Sequence, residues 1–131
     1  MNQTKKESNN TNISILAHII GPFTYALGTV LVYLAYKDVK DEVLRSNMVN
    51  ALNFQLTCVG IQILLMIIAG YELNKLYNFA REEEFSPFSM FMAYGLIVFI
   101  QLVNTIASII GAISAGQHKV FNYHIAIKFI K

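Results

Sequence analysis

Charge is scarce in this chain. Asp, Glu, Lys and Arg together supply 14% of its 131 residues, whereas 55% are hydrophobic. Mean hydropathy is +0.47. Soluble domains carry about 25% charged residues, because their surfaces must be covered with polar groups, and this chain has too few to do so. Cysteine is reduced to Cys58, which excludes an intramolecular disulfide and leaves the redox compartment unread. No HExxH, CxxC or paired-carboxylate pattern occurs, and His18, His118 and His124 have no second ligand at helical spacing. A metal site is therefore not expected. A glycine-rich phosphate loop is also missing, and Ser108 has no histidine nearby in sequence, so nucleophilic catalysis is not predicted. The net charge of +2, with no basic run interleaved with aromatics, argues against nucleic acid. No catalytic residue and no cofactor is assigned, and the chain reads as non-enzymatic.

The few charges are also bunched. None falls between Ile13 and Tyr36, between Ser46 and Tyr71, or between Phe85 and Gln117. Uncharged apolar stretches longer than about 18 residues have the length to cross a hydrocarbon core about 30 Å thick. The expected fold is an all-α integral membrane protein with three transmembrane helices, over about 13–36, 46–70 and 88–115. A polar, disordered tail is expected over 1–12 and an extended amphipathic tail over 117–131. The first apolar run is too long for the core of a cleaved signal peptide and is read as retained. Gly21-Pro22 should kink the first span, since proline removes a backbone donor. In the second connector Leu73, Leu76, Tyr77 and Ala80 fall at helical spacing, marking a candidate interfacial helix or a continuation of the second span. Glu82, Glu83 and Glu84 precede Ser86-Pro87, a helix-start signal for the third span. In the tail, Phe121, Tyr123, Ile125, Ile127 and Phe129 alternate with other residues at the period of a strand.

Polar residues within the spans carry the functional expectation. Asn50, Asn53 and Thr57 share one face of the second helix. Gln101, Thr105 and Ser108 form a stripe on the third, with Asn104 and Gly111 beside it. An amide facing lipid leaves its hydrogen-bonding groups unsatisfied at a cost of several kcal/mol. These stripes should therefore face protein or water, and small residues such as Ala107, Gly111 and Ala115 let backbones approach. Three uses follow: gluing the protein's own helices together, docking a second integral membrane protein or another copy of the chain, or lining a path. No acidic residue lies within a span, which argues against an ion-coupled transporter.

Asn50-Ala51-Leu52-Asn53-Phe54-Gln55 after a charged connector, Ile110 to Gly116 followed by Tyr123 and Ile127 to Lys131, and Ala17-His18 near the start together resemble a known family. It is a small bacterial multi-pass membrane family related to the membrane-channel subunit of the chloroplast inner-envelope translocon (Tic). The resemblance implies a helical membrane fold and a role in a larger membrane complex, with Tyr123 among the partner-binding positions. The expectation is a non-enzymatic accessory or assembly subunit in the bacterial plasma membrane, in contact with membrane lipid. A pore or translocation component and an immunity protein against a membrane-active peptide are the competing classes. With three spans, Lys37, Lys40, Arg45, Lys119, Lys128 and Lys131 share a side and outnumber Lys5, Lys6, Lys75 and Arg81. The positive-inside rule then places the C-terminus in the cytoplasm and the N-terminus outside.

Overall fold

A computed structural model describes residues 3–77 and 87–130. They form four helices: α1 (Gln3–Thr24), α2 (Leu27–Tyr36), α3 (Glu42–Tyr77) and α4 (Pro87–Gly116). Two of them, α3 and α4, are long and apolar enough to cross a membrane.

The expected first span over 13–36 is instead a helical hairpin. Tyr25 and Ala26 both take left-handed backbone angles (φ 49° and 70°), three residues after Pro22, and the helix cannot continue through them. The break is closed locally. Ala26 N–H reaches back to the Gly21 carbonyl at 3.2 Å. The Thr24 hydroxyl donates to the Ile20 carbonyl and accepts from Gly28 N–H at 2.8 Å, serving both helix ends. The α2 helix then doubles back on α1. Thr29 Oγ1 donates to the Ala17 carbonyl at 3.1 Å, and Gly28 lies so close to Ile20 that a Cβ there would come within 2.6 Å of it. Ten residues of α2 rise about 15 Å, half the depth of a hydrocarbon core. Hydropathy measures how apolar a stretch is and not which way it runs, so a span and a re-entrant hairpin look alike in sequence.

The two ends of the hairpin meet the ends of the long helices. Asn10 donates to Asp41 at 2.8 Å, and Thr11 lies 3.1 Å from His118. The start of α1, the turn after α2, the start of α3 and the exit from α4 therefore share one end of the bundle. Ala17, Val32, Leu44, Met48 and Ala51 form the apolar core there, with Ile13, Ile20, Tyr33 and Val39 packed around them.

Two tail expectations also change. Residues 3–12, expected to be disordered, are helical and extend α1. The C-terminal segment forms no strand among the described residues. It runs extended to a turn closed by Ala126 N–H to the Tyr123 carbonyl at 3.1 Å, which reverses the alternation. Phe121 and Tyr123 point inward, whereas Ile125, Ile127 and Phe129 are 68%, 58% and 56% exposed. In the second connector, Leu73 to Tyr77 continue α3; residues 78–86, including Ala80 and the three glutamates, lie outside the described residues. The start of α4 at Pro87 is where the Ser86-Pro87 signal puts it.

Polarity is inverted relative to a soluble domain. Leu64, Ile67, Phe91 and Phe99 each expose over 60% of their surface. Buried instead are Ser14, His18, Thr29, Asn47, Asn53, Gln55, Gln62, Asn104 and Ser108. Such a surface is stable in hydrocarbon, provided the interior polar groups find partners.

Candidate functional site

Those partners converge on a groove between α1, α3 and α4, filled by the C-terminal segment. Side chains one turn apart on α3 take up its backbone groups. Asn47 Oδ1 accepts from Phe121 N–H at 3.0 Å, and its Nδ2 donates to the Lys119 carbonyl at 3.1 Å. Asn50 Nδ2 donates to the Phe121 carbonyl and to Asn122 Oδ1. Asn53 Oδ1 accepts from Phe129 and Ile130 N–H, and its Nδ2 donates to the Ile130 carbonyl. Thr57 Oγ1 accepts from Ile127 N–H at 2.9 Å and donates to its own helix at Asn53. An extended chain has no internal hydrogen bonds, and inside an apolar bundle these amides supply what water would.

Tyr123 anchors the segment. Its ring stacks on Phe54 with centroids 4.0 Å apart and planes 6° from parallel. Its hydroxyl lies 2.7 Å from His18 Nδ1, while His18 Nε2 lies 3.4 Å from Asn47 Oδ1. Asn47 Nδ2 is committed to a carbonyl, so its Oδ1 is the acceptor. That orientation makes His18 Nε2 the protonated nitrogen and Nδ1 the acceptor of the Tyr123 proton. Gly111 makes room for the pair: a Cβ there would sit 2.5 Å from the Tyr123 hydroxyl and 2.7 Å from His18 Nδ1.

Deeper in the bundle the polar residues bond to one another. Gln55 Nε2 donates to Ser108 Oγ, its Oε1 accepts from Asn104 Nδ2, and Gly21 on α1 leaves room for this side chain. At the floor of the hairpin, Gln101 Nε2 donates to the Pro22 carbonyl at 2.7 Å and its Oε1 accepts from Gln62 Nε2 at 2.9 Å. The Pro22 carbonyl is freed by the break after Thr24, so Gln101 caps a helix that ends at membrane depth. Thr105 donates to the Gln101 carbonyl on its own helix.

Of the nine residues singled out in the sequence, the structure gathers Asn50, Asn53, Thr57, Gln101, Asn104, Ser108 and Tyr123 into this groove and its floor, bonded to the protein's own chain; Gly111 supplies clearance there, and Thr105 bonds only to its own helix. A partner that used Asn50 or Asn53 would have to displace the C-terminal segment. His18, Asn47, Gln55 and Gln62 also line this network, although the sequence did not mark them as partner-binding positions. A histidine inside an apolar run was the available signal, since intramembrane ionisable groups need partners.

A second polar cleft of about 320 Å³ opens at the end shared by the start of α1 and the exit from α4, with Glu7, Asp41 and His118 among its lining residues. Asp41 Oδ1 accepts from Leu44 N–H and caps α3, which with the Asn10 bond holds its carboxyl below the usual carboxylate range. Among the described residues no group of three His, Cys, Asp or Glu side chains is placed to hold a metal ion.

Compared with known protein families, the chain matches the MamF/MmsF model, described as the magnetosome magnetite crystal formation protein family, over residues 9–130. No curated protein and no solved structure matches. This match overturns the expected relation to the Tic translocon: the short segments that suggested it lie within residues matched by a different family. With two apolar helices and this family, the chain is a membrane protein.

Proposed function

The chain belongs to the magnetosome magnetite crystal formation protein family, and from that premise we propose that it is a non-enzymatic accessory protein of the magnetosome membrane. The match over residues 9–130, nearly the whole chain, carries this reading. Two features of the groove support the absence of catalysis. Most of its polar side chains bond to the chain's own backbone and to one another, and its buried histidine, His18, is held between Tyr123 and Asn47. Its work is to hold a shape in the membrane and offer its apolar faces to another membrane protein or a second copy.

The reading includes a multi-pass topology with both termini cytoplasmic. With α1 and α2 folded into a hairpin, only α3 and α4 cross, and both termini fall on one side. By chain position Lys5, Lys6, Lys37, Lys40, Arg45, Lys119, Lys128 and Lys131 then share that side, against Lys75 in the last turn of α3 and Arg81 after it. That asymmetry is wider than three spans allow, and it favours a cytoplasmic placement of both termini.

The test is complementation in a magnetite-forming bacterium lacking its own member of this family. The protein should fractionate with magnetosomes, and crystal dimensions in electron micrographs should return towards wild type. Crystals that stay like those of the deletion strain would defeat the proposal. Single cysteines at Asn9 and Gln117, with Cys58 replaced, test the topology: an impermeant maleimide should reach both or neither from a given side.

A further inference from the structure

We propose that the cleft between the first turns of α3 and the C-terminal segment binds the headgroup of an aminophospholipid, phosphate to Arg45 and ammonium to Glu42. The cleft measures about 430 Å³ and is lined by Glu42, Arg45, Ser46, Val49, Asn50, Val120 and Asn122. It lies at the end of the bundle that carries the charged turn before α3, where an apolar span gives way to polar chain. Lipid headgroups occupy that level.

Three observations narrow the ligand. First, Glu42 and Arg45 line the same cleft one turn apart on α3, yet they form no ion pair, and no carboxylate of the described residues pairs with Arg45. Two opposite charges left unpaired side by side complement a zwitterion. A purely anionic headgroup would meet Glu42, and a headgroup without N–H donors could not hydrogen-bond its carboxylate. Second, the polar wall has spare capacity. Asn50 Nδ2 is spent on the Phe121 carbonyl and on Asn122 Oδ1, which leaves Asn122 Nδ2 to donate to a phosphate oxygen beside the guanidinium. Third, Val49 and Val120 make part of the wall apolar, and Val120 is 40% exposed. That suits the glycerol and first acyl carbons of a lipid better than a free phosphate. A guanidinium on a phosphate and a carboxylate on an ammonium are both charge-assisted contacts, stronger than neutral ones.

The proposal rests on the membrane reading above, which membrane pelleting of the same protein tests by itself. Delipidated protein in mild detergent is offered phosphatidylethanolamine, phosphatidylglycerol and phosphatidylcholine, and retained lipid is counted by native mass spectrometry. Phosphatidylethanolamine should be retained about tenfold over the other two. Arg45→Ala should abolish that retention, and Glu42→Gln should bring it down to the phosphatidylcholine level. Val120→Trp fills the cleft from an exposed position with both charges intact and should also abolish retention. Unchanged melting temperatures show that these variants fold. Equal retention of the three lipids, preference for phosphatidylglycerol, or wild-type binding by Arg45→Ala would each overturn the proposal. So would competition by free phosphorylethanolamine at lipid-like concentrations, which would make the ligand a soluble phosphate.

Discussion

Replacing Asn53 with leucine should release the end of the C-terminal segment while leaving its anchor in place. Asn53 is 2% exposed and makes three contacts with the segment: Oδ1 accepts from Phe129 N–H at 3.0 Å and Ile130 N–H at 2.9 Å, and Nδ2 donates to the Ile130 carbonyl at 2.9 Å. Leucine keeps the volume and removes all three. Side-chain hydrogen bonds inside membrane proteins average about 0.6 kcal/mol each, which puts the loss at about 2 kcal/mol. The full penalty of an unsatisfied buried group, about 1–3 kcal/mol each, does not apply, because a freed chain end can reach water. At about 1.4 kcal/mol per factor of ten, the detached population rises roughly 30-fold. A single cysteine at Ile130, in a Cys58→Ala background, reports this as the rate of maleimide labelling in detergent. The effect should stop at the turn, because Tyr123 remains stacked on Phe54 and bonded to His18. A cysteine at Val120 should therefore label at the same rate with and without the substitution. An Ile130 rate within twofold of the Asn53 parent would refute the reasoning. Equal acceleration at both positions would show that the segment is held as a unit and not clamp by clamp.

Gly111→Ala would push a methyl group into Tyr123 and His18 and should cost about 1–3 kcal/mol, read as a lower melting temperature in detergent; Gly60→Ala, with nothing within 4 Å, should cost nothing. Gln101→Leu strips the cap from the Pro22 carbonyl and the partner from Gln62, and should destabilise by about 2 kcal/mol or more in denaturant titration; a wild-type midpoint would mean the hairpin floor is held by packing alone. Asp41→Ala removes the α3 cap and should cost about 1 kcal/mol near neutral pH. Because folding lowers the Asp41 pKa, its contribution is fully present above the unfolded value of about 4 and is lost as pH falls through the lower folded value. Melting curves of the wild type and Asp41→Ala should thus converge below about pH 4, and a gap that stays constant to pH 3 would contradict the assignment.

Composition and periodicity by themselves determined that this is an apolar helical chain, where α3 and α4 lie, and that Asn50, Asn53, Thr57, Gln101 and Ser108 must not face lipid. Those properties are local: hydropathy depends only on the residues in a stretch, and helical spacing fixes which of them share a face. Direction and pairing are not local, and the tertiary structure decided them. Nothing in Gly21-Pro22 separates a kinked span from a hairpin; the reversal depends on Tyr25 and Ala26 taking left-handed angles, with Gln101 from a distant helix capping the end they leave. The strand-like alternation of the tail likewise held only as far as Tyr123, where a turn exchanged its faces. The amide face that suggested a docking surface is occupied by this chain's own last residues. A sequence shows that buried amides need partners, but only the assembled bundle shows which backbone supplies them.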